Sequence, residues 1–108
     1  MSNPQVLVVD DEADIRALIQ EILSEEGYGV TVAANADEAR SARREDSFDL
    51  ILLDIWMPDT DGITLLREWS DQGDLKCPVV IMSGHGTVDT AVEATRLGAH
   101  DFVEKPLS

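Results

Sequence analysis

Positive charge is scarce in this chain. Eight lysines and arginines stand against 22 aspartates and glutamates, a formal charge of −14 over 108 residues. Such a surface repels nucleic acid and anionic membranes, so direct DNA binding by this stretch is not its task. Cysteine is scarcer still: Cys77 stands alone, which rules out an intrachain disulfide. It precedes Pro78 at the head of an apolar run, the place of a small buried thiol rather than a reactive one. No hydrophobic run approaches the length of a membrane span, and Met1 leads into Ser2-Asn3-Pro4 rather than a secretory signal. A soluble, cytoplasmic protein is expected. Repeats, low-complexity tracts and linkers are lacking too, so residues 1–108 read as one domain with a single modest core.

What is present is an alternation of short apolar runs with amphipathic stretches. Val6-Leu7-Val8-Val9 predicts a buried strand that ends on Asp10-Asp11-Glu12. Ile15, Leu18, Ile19, Ile22 and Leu23 recur at helical spacing, and Gly27 is a good stop for that helix. A brief strand is expected from Gly29 to Ala33. Asn35, with Glu38 three residues on, has the form of a capping box ahead of a helix rich in Ala and Arg. Leu50-Ile51-Leu52-Leu53 reads as a strand buried on both faces, and it stops at Asp54. Met57-Pro58 and Asp61-Gly62 then break the chain, with Asp61 as cap of a third helix carrying Ile63, Leu66 and Trp69. Pro78 to Met82 is a fourth strand, running into Ser83-Gly84-His85-Gly86. Val88, Ala91, Val92 and Thr95 mark a fourth helix stopped by Gly98, and Phe102-Val103 is a short strand before Glu104-Lys105-Pro106. This alternation predicts an α/β domain, a doubly wound, five-stranded parallel sheet.

In that architecture all strand C-termini point to one edge, where ligands bind. The edge receives Asp10 and Asp11 from the first strand, Asp54 from the third, Ser83 from the fourth and Lys105 from the fifth. Carboxylates packed together repel one another and call for a cation, and hard oxygen donors select Mg²⁺ or a similar ion such as Mn²⁺. Mg²⁺ works with one or two carboxylates plus phosphate oxygens, which leaves room for a phosphoryl group. Lys105 supplies a point charge for such a group and Ser83 a hydroxyl donor. Asp54 is then the candidate nucleophile, giving an aspartyl phosphate with little need of acid–base machinery. His85 and His100 are not required as bases and have no partners at metal-ligand spacing.

These residues resemble the receiver (CheY-like) domain of two-component response regulators, over essentially the whole chain. The shared motifs are the Asp10-Asp11 pair, Asp54 after Leu-Ile-Leu-Leu, Met57-Pro58, Asp61-Gly62, Ser83-Gly84 and Lys105-Pro106. The wording of residues 55–62 and 83–87 is similar to the nitrogen-regulation branch, the NtrC/NtrX type of transcriptional activator. The resemblance implies the flavodoxin-like strand order 2-1-3-4-5 and phosphorylation of Asp54 by a sensor histidine kinase. It implies that Asp11, Asp54 and the backbone carbonyl of Trp56 hold Mg²⁺, with Asp10 acting through a coordinated water. Lys105, Ser83 and the backbone of Gly84 would bind the phosphoryl group, and Ser83 and Phe102 occupy the switch positions. Trp56 and His85 would flank the approach of hydrolytic water, with Trp56 slowing phosphoryl loss by shielding. A cis bond at Lys105-Pro106 is implied as well. Full-length members of that branch add ATPase and DNA-binding output domains.

Two other functions fit parts of the chain. Asp59-Thr60-Asp61-Gly62-Ile63-Thr64 matches the signature of haloacid-dehalogenase phosphatases, but there the first Asp directly ends a hydrophobic strand, whereas here the strand ends at Asp54. A receiver-like interaction module that takes no phosphate is the other; the complete set of acids and Lys105 argues against it. The resemblance also implies a fifth helix after the Lys-Pro strand, so the domain is expected to be C-terminally incomplete. On that expectation Val6, Val8 and Phe102-Val103 lack cover, and the chain dimerises or loses stability.

Crowding of Asp10, Asp11 and Asp54 leads to a direct expectation. Mg²⁺ should raise the melting temperature by mass action and change the emission of Trp56, leaving Trp69 indifferent. Fluorescence titration of a Trp56→Phe variant checks this: retention of the whole response would remove Trp56 from the site.

Overall fold

A computed structural model of the chain describes residues 3–55, 57, 61–71, 77–83, 92 and 94–104, with the main chain alone at Ser83, Phe102 and Glu104. The elements are β1 (Gln5–Val9), α1 (Ala13–Glu25), β2 (Gly29–Ala33), α2 (Ala36–Glu45), β3 (Leu50–Asp54), α3 (Gly62–Asp71), β4 (Val79–Ser83) and β5 (Asp101–Glu104). Every strand pair is parallel, in the order β2-β1-β3-β4-β5. The first four strands stand in the order the resemblance implies, and the short β5 pairs with β4 through Val80 to Ser83. Of the expected fourth helix, Val92 and residues 94–96 are described and are helical.

Period-two alternation sorts the strand side chains onto two faces. Leu7, Val9, Ile51, Leu53, Val79 and Ile81 join Ala36 and Ala39 of α2 and Leu65, Leu66 and Trp69 of α3 in one fully buried cluster. Burial of each such aliphatic side chain contributes about 1.5–3 kcal/mol. The small alanines let α2 lie close to the sheet, and its arginines reach across to α3. Arg40 forks onto Glu68, Nε to Oε1 at 3.0 Å and Nη2 to Oε2 at 2.9 Å, with Nη1 on Asp37 at 2.8 Å. Its hydrogen bonds to Glu68 hold the Arg40 guanidinium pKa above the ordinary value. Because both partners keep contact with water, the pair adds at most about 1 kcal/mol. The Arg43 guanidinium lies 4.5 Å from the centre of the Trp69 ring, a second tie between the same helices.

The opposite face carries Val6, Val8, Val30, Leu50, Leu52 and Met82 under Ile15, Ile19 and Leu23 of α1. Val6 and Val8 are 2% and 0% exposed, which corrects the expectation that they lack cover. The cover comes from α1, whose Ile19 packs in one buried cluster with Val6, Val8 and Met82. Elsewhere on that face Leu50, Leu52, Val80 and Val103 are half-buried, and Leu18 and Ile22 of α1 are exposed by 42% and 48%. The apolar stripe of α1 is thus wider than the surface it covers.

Helix ends follow their local chemistry. Asn35 Oδ1 accepts the Glu38 N–H at 2.9 Å, and Glu38 Oε1 reaches back to the Ala34 N–H at 2.8 Å, one residue upstream of the reciprocal bond of a standard capping box. After α1 the Gly27 N–H donates to Ser24 O and the Tyr28 N–H to Leu23 O. That double closure needs a residue with φ near +92°, which glycine adopts without strain.

Two isoleucines of α1 separate burial from helix propensity. Ile19→Ala is expected to lower stability by about 2–5 kcal/mol and Ile22→Ala by less than about 1 kcal/mol. Urea unfolding of the two variants measures the difference, and equal losses would contradict the packing of α1.

Candidate functional site

The site grows from the point where β1 and β3 run out of aliphatic residues. Val9 and Leu53 are paired in the sheet, so the next residues, Asp10 and Asp54, stand at one level on adjacent strands. Neighbouring strands lie about 4.8 Å apart. Both residues are withdrawn from water, Asp10 at 0% and Asp54 at 3% exposure. Asp54 is also paired with Met82, and Ser83 follows at the end of β4, in register with Glu104 of β5. The C-terminal ends of these strands therefore bring the Asp10-Asp11 turn, Asp54 and the Ser83 main chain to one edge.

Local bonding shapes the turn after β1. The Asp10 N–H still donates to Ala33 O of β2 at 3.0 Å, as though the strand continued. The Asp10 side chain then accepts the Glu12 N–H on Oδ1 at 2.9 Å, an Asx-type closure that swings the chain into α1. The Asp10 carbonyl accepts a 2.7 Å hydrogen bond from Arg16 Nη1. Carboxylate oxygens of Asp10, Asp11 and Glu12 come within 4.8 Å of one another, with Asp11 and Glu12 exposed. An inner, buried acid and two outer, solvated ones thus share one turn.

At the end of β3, the Ile55 N–H donates to Met82 O at 3.1 Å, which keeps the chain in the sheet just past Asp54. α3 starts directly against this segment. Asp61 Oδ1 caps it through the Thr64 N–H at 2.6 Å, and the Gly62 N–H bonds Ile55 O at 2.6 Å. A β-carbon on Gly62 would run into the Asp54 carbonyl oxygen and stand 2.9 Å from the Ile55 Cα. Glycine is what allows the helix to close on the backbone of the acidic strand end.

Asp10, Asp11 and Asp54 are therefore placed at one edge, as the strand pattern predicts. Trp56, Gly84, His85 and Lys105 lie outside the described residues, as does the Lys105-Pro106 bond; so do the side chains of Ser83 and Phe102. Glu12 joins this turn, and its signal in the sequence is the acidic triplet at 10–12. Arg16 reaches the same turn, and its signal is a cation near the start of a helix, where the macrodipole disfavours positive charge.

The arrangement has clear relatives. The response regulator receiver domain family matches residues 6–108. An NtrX-like putative response regulator of Rickettsia bellii is 44% identical over 110 residues, covering 100% of this chain and 23% of that protein. The nitrogen assimilation regulatory protein NtrX of Azorhizobium caulinodans is 43% identical over 105 residues, covering 95% of this chain and again 23% of the relative. Among solved structures, the receiver domain of NtrX from Brucella abortus superposes with a TM-score of 0.86 at 48% identity, over 95% of this chain and 87% of that one. The chain spans about a quarter of the length of the curated relatives it matches. A haloacid-dehalogenase phosphatase finds no support beside a family match of this extent.

Gly62 supplies a test of sign. On an open helix Gly→Ala stabilises by about 0.5–1 kcal/mol; here Gly62→Ala is expected to destabilise by about 1–3 kcal/mol, because backbone rather than a flexible side chain must give way. The urea midpoint decides, and a rise would place α3 farther from Asp54.

Proposed function

Because the chain belongs to the family of response regulator receiver domains, we propose that it is a phosphorylation switch with Asp54 as phosphoacceptor. The observation that carries the reading is the pairing of two water-excluded carboxylates, Asp10 and Asp54, at one level of adjacent strands. An Asp54 oxygen attacks the phosphorus of a phosphohistidine on a sensor kinase. The P–N bond breaks as the O–P bond forms, and the leaving imidazole keeps the electron pair and takes up a proton from water. The product is a mixed anhydride on Asp54. Transfer of this kind rests on positioning and charge neutralisation, and the protein catalyses only its own phosphorylation and dephosphorylation.

The residues fit a divalent cation. Asp10, Asp11 and Glu12 gather hard oxygen donors within 4.8 Å of one another, which suits Mg²⁺ or Mn²⁺. In this reading Asp11, Asp54 and the Trp56 carbonyl would hold the ion and Asp10 would act through a water, with Glu12 available as a further donor on the same turn. When bound, the cation offsets the repulsion between an anionic donor and an anionic acceptor. Lys105, Ser83 and the Gly84 N–H take the phosphoryl oxygens. Ser83 and Phe102 pass the change outward, and Trp56 and His85 control access of water.

Partners follow from the same reading. A sensor histidine kinase supplies the phosphoryl group in the cytoplasm, and among the described residues no helix is long and apolar enough to cross a membrane. With a charge of −14 this stretch repels DNA; in this reading, transcription would be controlled by the ATPase and DNA-binding output regions that the family resemblance implies. A further helix after this stretch would cover Leu50, Leu52 and Val80, which stand half-buried on the α1 face. Exposed Leu18 and Ile22 lie on the helix of that face and support the same inference.

Intact-mass measurement after incubation with acetyl phosphate tests the switch. One phosphoryl group should be gained in Mg²⁺, little without it, and none in Asp54→Ala. No gain by the wild-type chain in either condition would favour an interaction module that takes no phosphate.

A further inference from the structure

Arg16 stands where a cation is out of place. It is the fourth residue of α1, at the end of the helix where the macrodipole is positive. The residue is half-buried, and its Nη1 donates to the carbonyl oxygen of Asp10 at 2.7 Å. Asp10 is thereby held at three points. Its N–H is bound to Ala33 O of β2, its carbonyl to Arg16, and its Oδ1 to the Glu12 N–H. The turn fixed in this way is the one that gathers the Asp10, Asp11 and Glu12 oxygens.

We propose that Arg16 is a positioning residue for divalent-cation binding: by locking the Asp10 carbonyl it fixes the turn that presents the Asp10, Asp11 and Glu12 oxygens. This rests on the cation-site reading above. Two physical effects of Arg16 oppose each other. As a positive charge beside carboxylates, it weakens the attraction of a second cation by Coulomb repulsion. As a clamp, it spares the cation the cost of ordering the turn, the usual role of groups that orient metal ligands. The Nη1 bond to the carbonyl is short and charge-assisted, and on this proposal the clamp is the larger effect.

That balance fixes the sign of the experiment. Arg16→Met keeps the apolar stem on the helix without the donors, and Arg16→Lys keeps a charge and a donor. Calorimetric titration with Mg²⁺ should show the dissociation constant of Arg16→Met raised about tenfold or more, with Arg16→Lys recovering most of the affinity. Unchanged or tighter binding in Arg16→Met would overturn the role, since tighter binding is what loss of repulsion alone produces. A second readout needs no metal: amide exchange at Glu12 should quicken in Arg16→Met while the β1 amides, which report the fold, stay as protected as in wild type. Equal protection at Glu12 would also overturn it. If the wild-type chain takes up no Mg²⁺, the cation-site reading itself fails and this role with it; a binding wild type beside an unaltered variant fails Arg16 alone.

Discussion

Asp10 and Asp54 are carboxylates removed from water side by side, and much of the surrounding structure answers to that one electrostatic constraint. Burial of a charge costs several kcal/mol unless hydrogen bonds or an opposite charge offset it, and two like charges on adjacent strands add their mutual repulsion. The turn after β1 responds with backbone donors: the Glu12 N–H faces Asp10 Oδ1, and the start of α1 follows immediately. The positive end of a helix near an acid is favourable by about 0.3–1 kcal/mol. The N–H of Glu12 thus meets one oxygen of the buried acid at the place where the chain turns into α1.

Packing supplies the rigidity that such an edge needs. One face of the sheet is closed tightly, by alanines of α2 and by Leu65, Leu66 and Trp69 of α3, and salt-bridge and ring contacts tie those helices to each other. α3 also presses its first residue onto the backbone at Asp54 and Ile55. The acidic strand end is thus gripped from the tightly packed side. The α1 face is looser: Ile19 packs with Val6, Val8 and Met82, while Leu50 and Leu52 of β3 and Val80 of β4 are only half-buried.

Where local chemistry decides, the chain was legible in advance. Asn35 and Asp61 cap helices because a short side-chain acceptor beside free N–H groups needs no tertiary help. Gly27 stops α1 because only glycine enters its backbone region freely. Apolar runs that end in Asp10 and Asp54 located the acidic edge, since a strand buried on both faces cannot accept a carboxylate until it reaches the end of the sheet. Leu18 and Ile22 show the limit of such patterns. Periodicity marks the apolar side of a helix but not how much of it finds a neighbour, and both residues remain exposed. Val6 and Val8 show the converse, because the cover that Ile19 gives them depends on how α1 lies across the sheet.

Sequence by itself determined the alternating elements, the two faces of each strand, and the presence of carboxylates where the first and third strands end. Those properties follow from side-chain periodicity and from the cost of burying charge, which act over a few residues. Only the tertiary structure decided that Asp10 and Asp54 stand at the same level, that Glu12 joins the acidic turn, that Arg16 closes on the Asp10 carbonyl, and that α3 approaches Asp54 within the space of a missing β-carbon. The level of Asp10 against Asp54 and the approach of α3 are distances between segments far apart in the chain, set by strand register and helix packing. The contacts of Glu12 and Arg16 join neighbours within six residues, but their geometry depends on how the turn after β1 enters α1, which residue spacing alone does not give.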